Sequence, residues 1–138
     1  MKTYLKYTVL VLTLFLSLSA FAQKKEDDNV IIVKVEESLK ASSSKELIKY
    51  LHSKVEIKLD GERKEYSSNQ AEIMLKQFFQ QYPSTGFEFN HDGTSTAGGI
   101  IYAIGTYASS SGNHRVVIRA KKFSNVFKVY RLEFTKER

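Results

Sequence analysis

The sequence predicts an α+β fold in which N-terminal helices pack on a curved antiparallel β-sheet. Apolar residues recur at helical spacing before Pro83, the apolar period changes to two after it, and the later strands are joined by short turns. Helices gathered early and strands gathered late are typical of an α+β domain with its helices on one side of the sheet.

The first 22 residues have the pattern of a cleavable export signal. Lys2 and Lys6 precede the apolar run 7–18, and Ala20 and Ala22 occupy the two positions that a signal peptidase reads. The run is shorter than the roughly 20 residues of a membrane span, which disfavours an uncleaved anchor. We therefore predict a signal peptide at 1–22, a flexible leader at 23–29 and a single domain at 30–138.

Composition narrows the destination and the partners. The chain contains no cysteine, so it cannot carry a lipid on a cysteine after the cleavage site and has no disulfides. We expect an exported protein, periplasmic or secreted, that is not a lipoprotein and has no membrane span after signal cleavage. The formal charge of +6 falls to +4 once Lys2 and Lys6 are removed, and this small surplus predicts no nucleic-acid partner.

The first half of the domain predicts two helices and a hairpin. Apolar spacing favours a helix over Val30–Leu39, and a second, shorter helix over Lys45–His52 with Ser44 as its cap. Asp60-Gly61 between two alternating segments, Val55–Leu59 and Glu62–Tyr66, predicts a hairpin. The second of these segments is strongly charged, which is typical of an edge strand.

The longest predicted helix is followed by the main sheet. Ser67 and Gln70 form a capping-box pattern, apolar residues then follow the helical period to Tyr82, and Pro83 ends the helix. Turns at Ser111-Gly112 and Ser124-Asn125 separate the last three strands. The predicted strands are Gly86–His91, Ile100–Ser109, His114–Lys122 and Val126–Thr135.

The segment Ile100–Ala108 carries apolar or aromatic residues on both of its faces. An antiparallel strand covered on one side only should have a polar outer face, so we expect this strand to be covered on both sides. The helices can cover one side. A partner subunit or a ligand would cover the other, and a sheet-to-sheet homodimer is the simpler explanation.

The residues do not indicate a catalytic or metal centre. His52, His91 and His114 lack the short spacing of metal ligands. His91-Asp92-Gly93 favours a turn over an acid–base pair, and Gly93–Gly99 lacks the end of a phosphate-binding loop. We therefore predict no catalytic residue, no metal and no cofactor.

Positive charge is concentrated in the last two strands. Arg115, Arg119 and Lys121 share one face of their strand. This face is either simply solvated or an anion-recognising patch flanked by Tyr107 and Tyr130, since arginine binds carboxylate or sulfate with two parallel hydrogen bonds.

The order of elements resembles the nuclear transport factor 2-like superfamily, and more closely a family of small exported bacterial proteins without an assigned function. The resemblance covers about residues 30–135 and implies a cone-shaped fold in which a bent sheet wraps around a long helix. The superfamily contains enzymes and binding modules, and its enzymes place Asp, His or Tyr inside the cone. No inward Asp or His can be matched to those positions here. The segments that carry the resemblance are 45–51, 66–72 with 75–79, and 102–107.

Taken together, these features predict an exported, non-enzymatic binding or interaction module, homodimeric through its sheet face, that accepts a small hydrophobic or anionic ligand if it has a pocket. The alternatives are an isomerase, dehydratase or cyclase acting on a hydrophobic substrate in the same cone, or a subunit of an envelope assembly. The pocket should lie between the long helix and the concave sheet face. Its candidate ligand-binding residues are Tyr66, Phe78, Phe79, Tyr102, Ile104, Arg115 and Arg119.

Overall fold

The structure, a computed structural model, describes residues 30–94 and 99–138. The predicted signal peptide and leader lie outside the described residues. Helix α1 covers residues 30–40, and α2 (Ser44–Leu47) continues into a 3-10 turn at Ile48–Tyr50. The remaining elements are β1 (Leu51–Leu59), β2 (Glu62–Ser67), α3 (Ser68–Gln81), β3 (Ser84–Thr94), β4 (Ile101–Ser109), β5 (His114–Phe123) and β6 (Val126–Lys136).

The six strands form one sheet in the order β2-β1-β6-β5-β4-β3. The α+β class is confirmed, but the sheet is mixed, because β1 pairs with β6 in parallel while every other pairing is antiparallel. The predicted N-terminal hairpin is therefore part of the main sheet. A single parallel contact between distant segments leaves no local signal in the sequence.

Helix α3 forms as its sequence predicts. The Ser67 hydroxyl accepts a hydrogen bond from the Gln70 backbone N–H, and the Gln70 side chain accepts one from the Ser67 N–H, so the capping box is complete. The helix ends at Gln81, two residues before Pro83. Its apolar stripe faces the sheet, with Ala71, Leu75, Phe78 and Phe79 buried.

Two of the predicted turns, at Asp60-Gly61 and Ser124-Asn125, are present and use left-handed backbone. Asp60 and Gly61 have φ values of 50° and 84°, and Ser124 and Asn125 have φ values of 51° and 67°. Positive φ at both central residues matches the right-handed twist of the flanking strands. β2 is an edge strand of the sheet, as its charge pattern indicates.

Three local predictions are wrong. The first concerns the end of the second helix, which lies at Tyr50 because Leu51 begins β1 and pairs with Val129. His52 therefore lies in a strand, stacked on Phe123 with the two rings 3.8 Å apart. The second concerns the start of that helix, whose cap is Ser43 rather than Ser44.

The third correction concerns the segment at His91-Asp92-Gly93, which is the end of β3 rather than a turn. All three residues pair with β4. A register shift between Phe89 and His91 bends β3, and bulges of this kind curve the sheet.

One side of the sheet carries the core. Buried apolar residues of α1 and α3, among them Val35, Leu39 and Leu75, belong to the same cluster as Val116 and Ile118 of β5. No helix among residues 30–94 and 99–138 is long and apolar enough to cross a membrane.

Candidate functional site

The space between α3 and the sheet is filled by aromatic side chains. The ring centroid of Phe78 lies 4.5 Å from that of Phe134, 5.0 Å from that of His114 and 5.7 Å from that of Tyr107. Phe78 is 3% exposed, and Tyr107, His114 and Phe134 are fully buried. In this part of the cone, side chains of the protein occupy the volume in which a ligand would bind.

Tyr107 has the buried hydroxyl of this cluster, and its hydrogen bonds are all used. It donates to the Tyr82 carbonyl at 2.5 Å. The Ser42 hydroxyl then donates to Tyr107 at 3.0 Å and accepts from the Ser84 N–H at 2.8 Å. Burial raises the pKa of Tyr107, with a smaller opposing effect from Ser42. The hydroxyl therefore joins three chain segments and is poorly suited to act as an acid or base.

His114 faces inward, towards α3, although no inward histidine was identified from the sequence. It is fully buried on β5, and neither ring nitrogen has a hydrogen-bond partner among the described residues. Its ring packs edge to face against the rings of Phe78 and Tyr82, and the centroid of the Tyr82 ring is 4.5 Å from that of His114. Burial is the main cause that lowers the pKa of His114. The alternation that places Arg115 outside puts His114 inside, so the sequence contained the signal.

The opposite, outer face of the sheet has a different character. Tyr102 is 42% exposed, and Ile104 and Val117 are partly exposed. The Tyr102 ring lies across Gly93 of β3, where a β-carbon would be 2.6 Å from the Tyr102 hydroxyl. An apolar centre on β4 and β5 thus faces outward, on the side away from α3.

Charged residues at one side of this outer face form a closed network. Arg63 contacts Glu56 at 2.8 Å and Glu133 at 2.6 Å, and Arg131 contacts Glu56 at 3.5 Å. Two arginines and two glutamates neutralise one another. The carboxylates of β1 and β6 on this face are therefore already paired.

Three cations of β5 lie outside that network. Arg115, Arg119 and Lys121 are exposed, and none forms an ion pair with a carboxylate of the described residues. Lys121 instead lies over two rings, 5.0 Å from the centroid of Tyr130 and 5.2 Å from that of Phe123.

The structure separates the seven predicted site residues into three places. Phe78 and Phe79 are inside the core, while Tyr66 lies on edge strand β2, partly buried against the core. The other four share the outer face. They are Tyr102, Ile104, Arg115 and Arg119.

The basic patch is flanked differently from what the sequence suggested. Tyr107 is buried on the inner face and cannot flank Arg115 or Arg119, so that expectation is wrong. Tyr102 takes its place, because it pairs with Arg119 across β4 and β5. Among the described residues, no three His, Asp or Glu side chains are grouped as metal ligands.

The architecture, a curved sheet packed against a long helix, has the nuclear transport factor 2-like fold. The chain superimposes with a TM-score of 0.64 on the crystal structure of a nuclear transport factor 2-like protein of unknown function from Shewanella baltica. That protein is 12% identical and matches over 86% of this chain and 97% of its own, which shows the fold alone. Comparison with curated proteins found no match.

The chain belongs to the DUF4783 family, described as a domain of unknown function, whose model matches residues 32–135. A crystal structure of a family member from Bacteroides ovatus is 30% identical, with a TM-score of 0.72 and coverage of 76% of this chain and 94% of its own. Another, from Bacteroides fragilis, is 27% identical with a TM-score of 0.71 and coverage of 76% and 97%.

Proposed function

We propose that this protein is an exported, non-enzymatic interaction module that pairs with a second copy through the outer face of its sheet. The observation that carries the proposal is the contrast between a cone filled by its own side chains and an outward apolar centre at Tyr102, Ile104 and Val117. Exposed apolar patches on a folded domain mark surfaces of association.

The filled cone argues against the enzyme alternative. Catalysis in the cone requires space for a substrate next to an acid or base. Tyr107 is committed to Tyr82 and Ser42, and His114 is enclosed by Phe78 and Tyr82. An isomerase, dehydratase or cyclase would need this cluster to open.

Charge complementarity supports a second copy as the occupant of the outer face. Glu88 on β3 and Arg115 on β5 are both exposed and lie on either side of Thr106 in one row across the sheet. A two-fold axis running along β4 would lay β3 of each copy over β5 of the other. Glu88 would then meet Arg115 twice, and Ile104 would pack near the axis against its own copy.

Sedimentation velocity on residues 23–138 tests the pairing. We expect a dimer whose dissociation constant rises strongly in Ile104→Lys, because an ammonium group would be buried at the centre of the interface. The matched control is Ile73→Lys, since Ile73 is 61% exposed on α3, away from the sheet face. The control should stay dimeric, and circular dichroism should show that both variants are folded.

Charge reversal tests the orientation of the two copies. Glu88→Arg and Arg115→Glu should each weaken the dimer, because each places like charges opposite one another. Combining them restores opposite charges and should restore the dimer. A monomer under all conditions would overturn the proposal, and a dimer indifferent to Ile104→Lys would overturn the choice of face.

Export is tested separately. The N-terminal pattern supports removal of residues 1–22 and residence outside the cytoplasm. Mass spectrometry of the protein from the envelope fraction of its own host should give a mature chain that begins at Gln23. A full-length chain in the cytoplasmic fraction would contradict export. A small molecule that remains bound in native conditions would instead favour the enzyme alternative.

A further inference from the structure

We propose that the pairing is linked to anions: a tetrahedral oxyanion of the sulfate or phosphate type binds beside Arg119 in the interface, once for each copy. This inference rests on the pairing proposed above and adds the chemical class of a ligand. The juxtaposition of Arg119, Arg131 and Tyr102 in one row of the outer face carries it.

The first step is the charge that this row leaves uncompensated. Arg119 pairs directly with Arg131 across β5 and β6. Like charges in directly opposite positions of an antiparallel pair are destabilising. Arg131 reaches Glu56 at 3.5 Å, but its Nε atom is buried and has no hydrogen-bond partner among the described residues. Of the two positive charges of Arg119 and Arg131, one therefore remains uncompensated.

The second step is that, in the part of the chain that the structure describes, the carboxylates of β1 and β6 on this face are already paired and that of Glu88 on β3 lies in another row. Glu56 and Glu133 are both engaged by Arg63. Glu88 lies in the row of Thr106 and Arg115, four residues along β5 from the row of Arg119. Pairing of the copies would satisfy Arg115 and leave Arg119 without a partner.

The third step is what would face Arg119 in the pair. The same axis along β4 that brings Glu88 over Arg115 brings Gly93 of the second copy over Arg119, because Gly93, Tyr102 and Arg119 form one row. Gly93 has no side chain of its own and is covered by the Tyr102 ring of its own copy. The group nearest the guanidinium of Arg119 would therefore be the Tyr102 hydroxyl of the second copy, and no carboxylate would face it.

The chemistry of this position suits an oxyanion. A guanidinium group presents parallel N–H donors that match two oxygens of a sulfate or phosphate, and a tyrosine hydroxyl supplies a further donor. Burying an unpaired guanidinium between two sheets is costly, so an anion that binds there stabilises the pair. Chloride is a single atom and cannot accept the two parallel hydrogen bonds of the guanidinium through separate oxygens.

Sedimentation equilibrium in sodium chloride and in sodium sulfate at equal ionic strength tests the inference. Each pair would bind two oxyanions. A plot of the logarithm of the dimer association constant against the logarithm of the sulfate concentration should therefore have a slope approaching about two. Phosphate should act in the same way. An equal association constant in chloride and sulfate would overturn the inference and leave the pairing itself intact.

Arg119→Gln isolates the residue. The variant should form the dimer in chloride at least as well as the unchanged protein, because the buried charge is gone, and its dimer should no longer respond to sulfate. Lys76→Gln, on the exposed side of α3, removes the same charge elsewhere and should keep the full response. If Arg119→Gln responds to sulfate as strongly as the unchanged protein, the site is not at Arg119. If no form ever dimerises, the proposed pairing fails instead.

Discussion

The inner and outer faces of the sheet are built from alternate residues of the same strands, but they have opposite environments. On β5, Val116 and Ile118 are fully buried, while Arg115 and Arg119 are exposed and Val117 is half-buried. The inner face maintains the fold, because its residues on β5 belong to the buried core that the helices share. The outer face is left free to meet another molecule. Mutations on the two faces should therefore affect different measurements.

The largest expected effect is at Gly105 on the inner side of β4. A β-carbon there would lie within van der Waals overlap of the Glu88 carbonyl oxygen and 2.8 Å from Phe87 Cζ, where β3 bends towards β4. Gly105→Ala should lower the free energy of unfolding in urea by about 3 kcal/mol.

Gly86→Ala is the matched control, because no atom lies within 4 Å of its added β-carbon. It should change stability by less than about 0.5 kcal/mol. Equal effects at the two glycines would contradict the close approach of β3 to β4 at Gly105.

Two adjacent valines compare the faces directly. Val116→Ala removes two methyl groups from the core and should cost about 2 kcal/mol of folding free energy, measured on the monomer. Val117→Ala should cost under about 1 kcal/mol in the same experiment. The proposed pairing predicts the reverse ranking for the stability of the dimer, where Val117→Ala should be the more harmful. The same ranking in both measurements would contradict the different roles of the two faces.

Two tyrosines of β4 extend the comparison to hydroxyl groups. Tyr107→Phe removes the donor to the Tyr82 carbonyl and the acceptor for Ser42, leaving buried polar atoms unpaired, and should cost about 1.5 kcal/mol in urea unfolding. Tyr102→Phe, on the outer face of the same strand, should be almost neutral for folding. A neutral Tyr107→Phe would mean that Ser42 and Tyr82 find other partners.

The smallest expected effect is a dependence of stability on pH through His114. Because burial lowers the pKa of His114, the unfolded chain binds a proton more readily than the folded protein. Asp60 and Glu137 favour the charged ring, while Lys136 opposes it. The contribution of His114 to stability is complete above its ordinary value of 6.5 and is lost as the pH falls below it.

Urea unfolding between pH 7.5 and pH 5.5 measures this loss. His114→Phe should flatten the dependence relative to the unchanged protein. An unchanged pH dependence in His114→Phe would show that the pKa of His114 is the same in the folded and the unfolded protein.

Local chemistry made much of this fold predictable. The capping box at Ser67 and Gln70 and the turns at Asp60-Gly61 and Ser124-Asn125 depend only on neighbouring residues, and all three occur as predicted. Distant contacts were not predictable. Leu51 looked helical from its neighbours, but its pairing with Val129 places it in a strand.

The candidate site shows the same limit. Ile101 and Tyr102 lie on opposite sides of β4, and both sides are apolar, so the pattern could not say which one faces α3. The sequence therefore predicts one pocket lined by Tyr102, Ile104 and Phe78, whereas the structure puts the sheet between them. The inward position of His114 needed only the alternation along β5, which also places Arg115 outside.

The parallel contact between β1 and β6 determines the order in which the protein can be assembled. Until the last strand is present, β1 has only β2 beside it, and an isolated two-stranded hairpin is marginal in water. The segment from β3 to β5 is likewise missing the neighbour that joins it to the first hairpin. A chain ending before Val126 would therefore be two unconnected pieces of sheet. Completion of the sheet therefore waits for the last strand, and such long-range pairing is intrinsically slow to form.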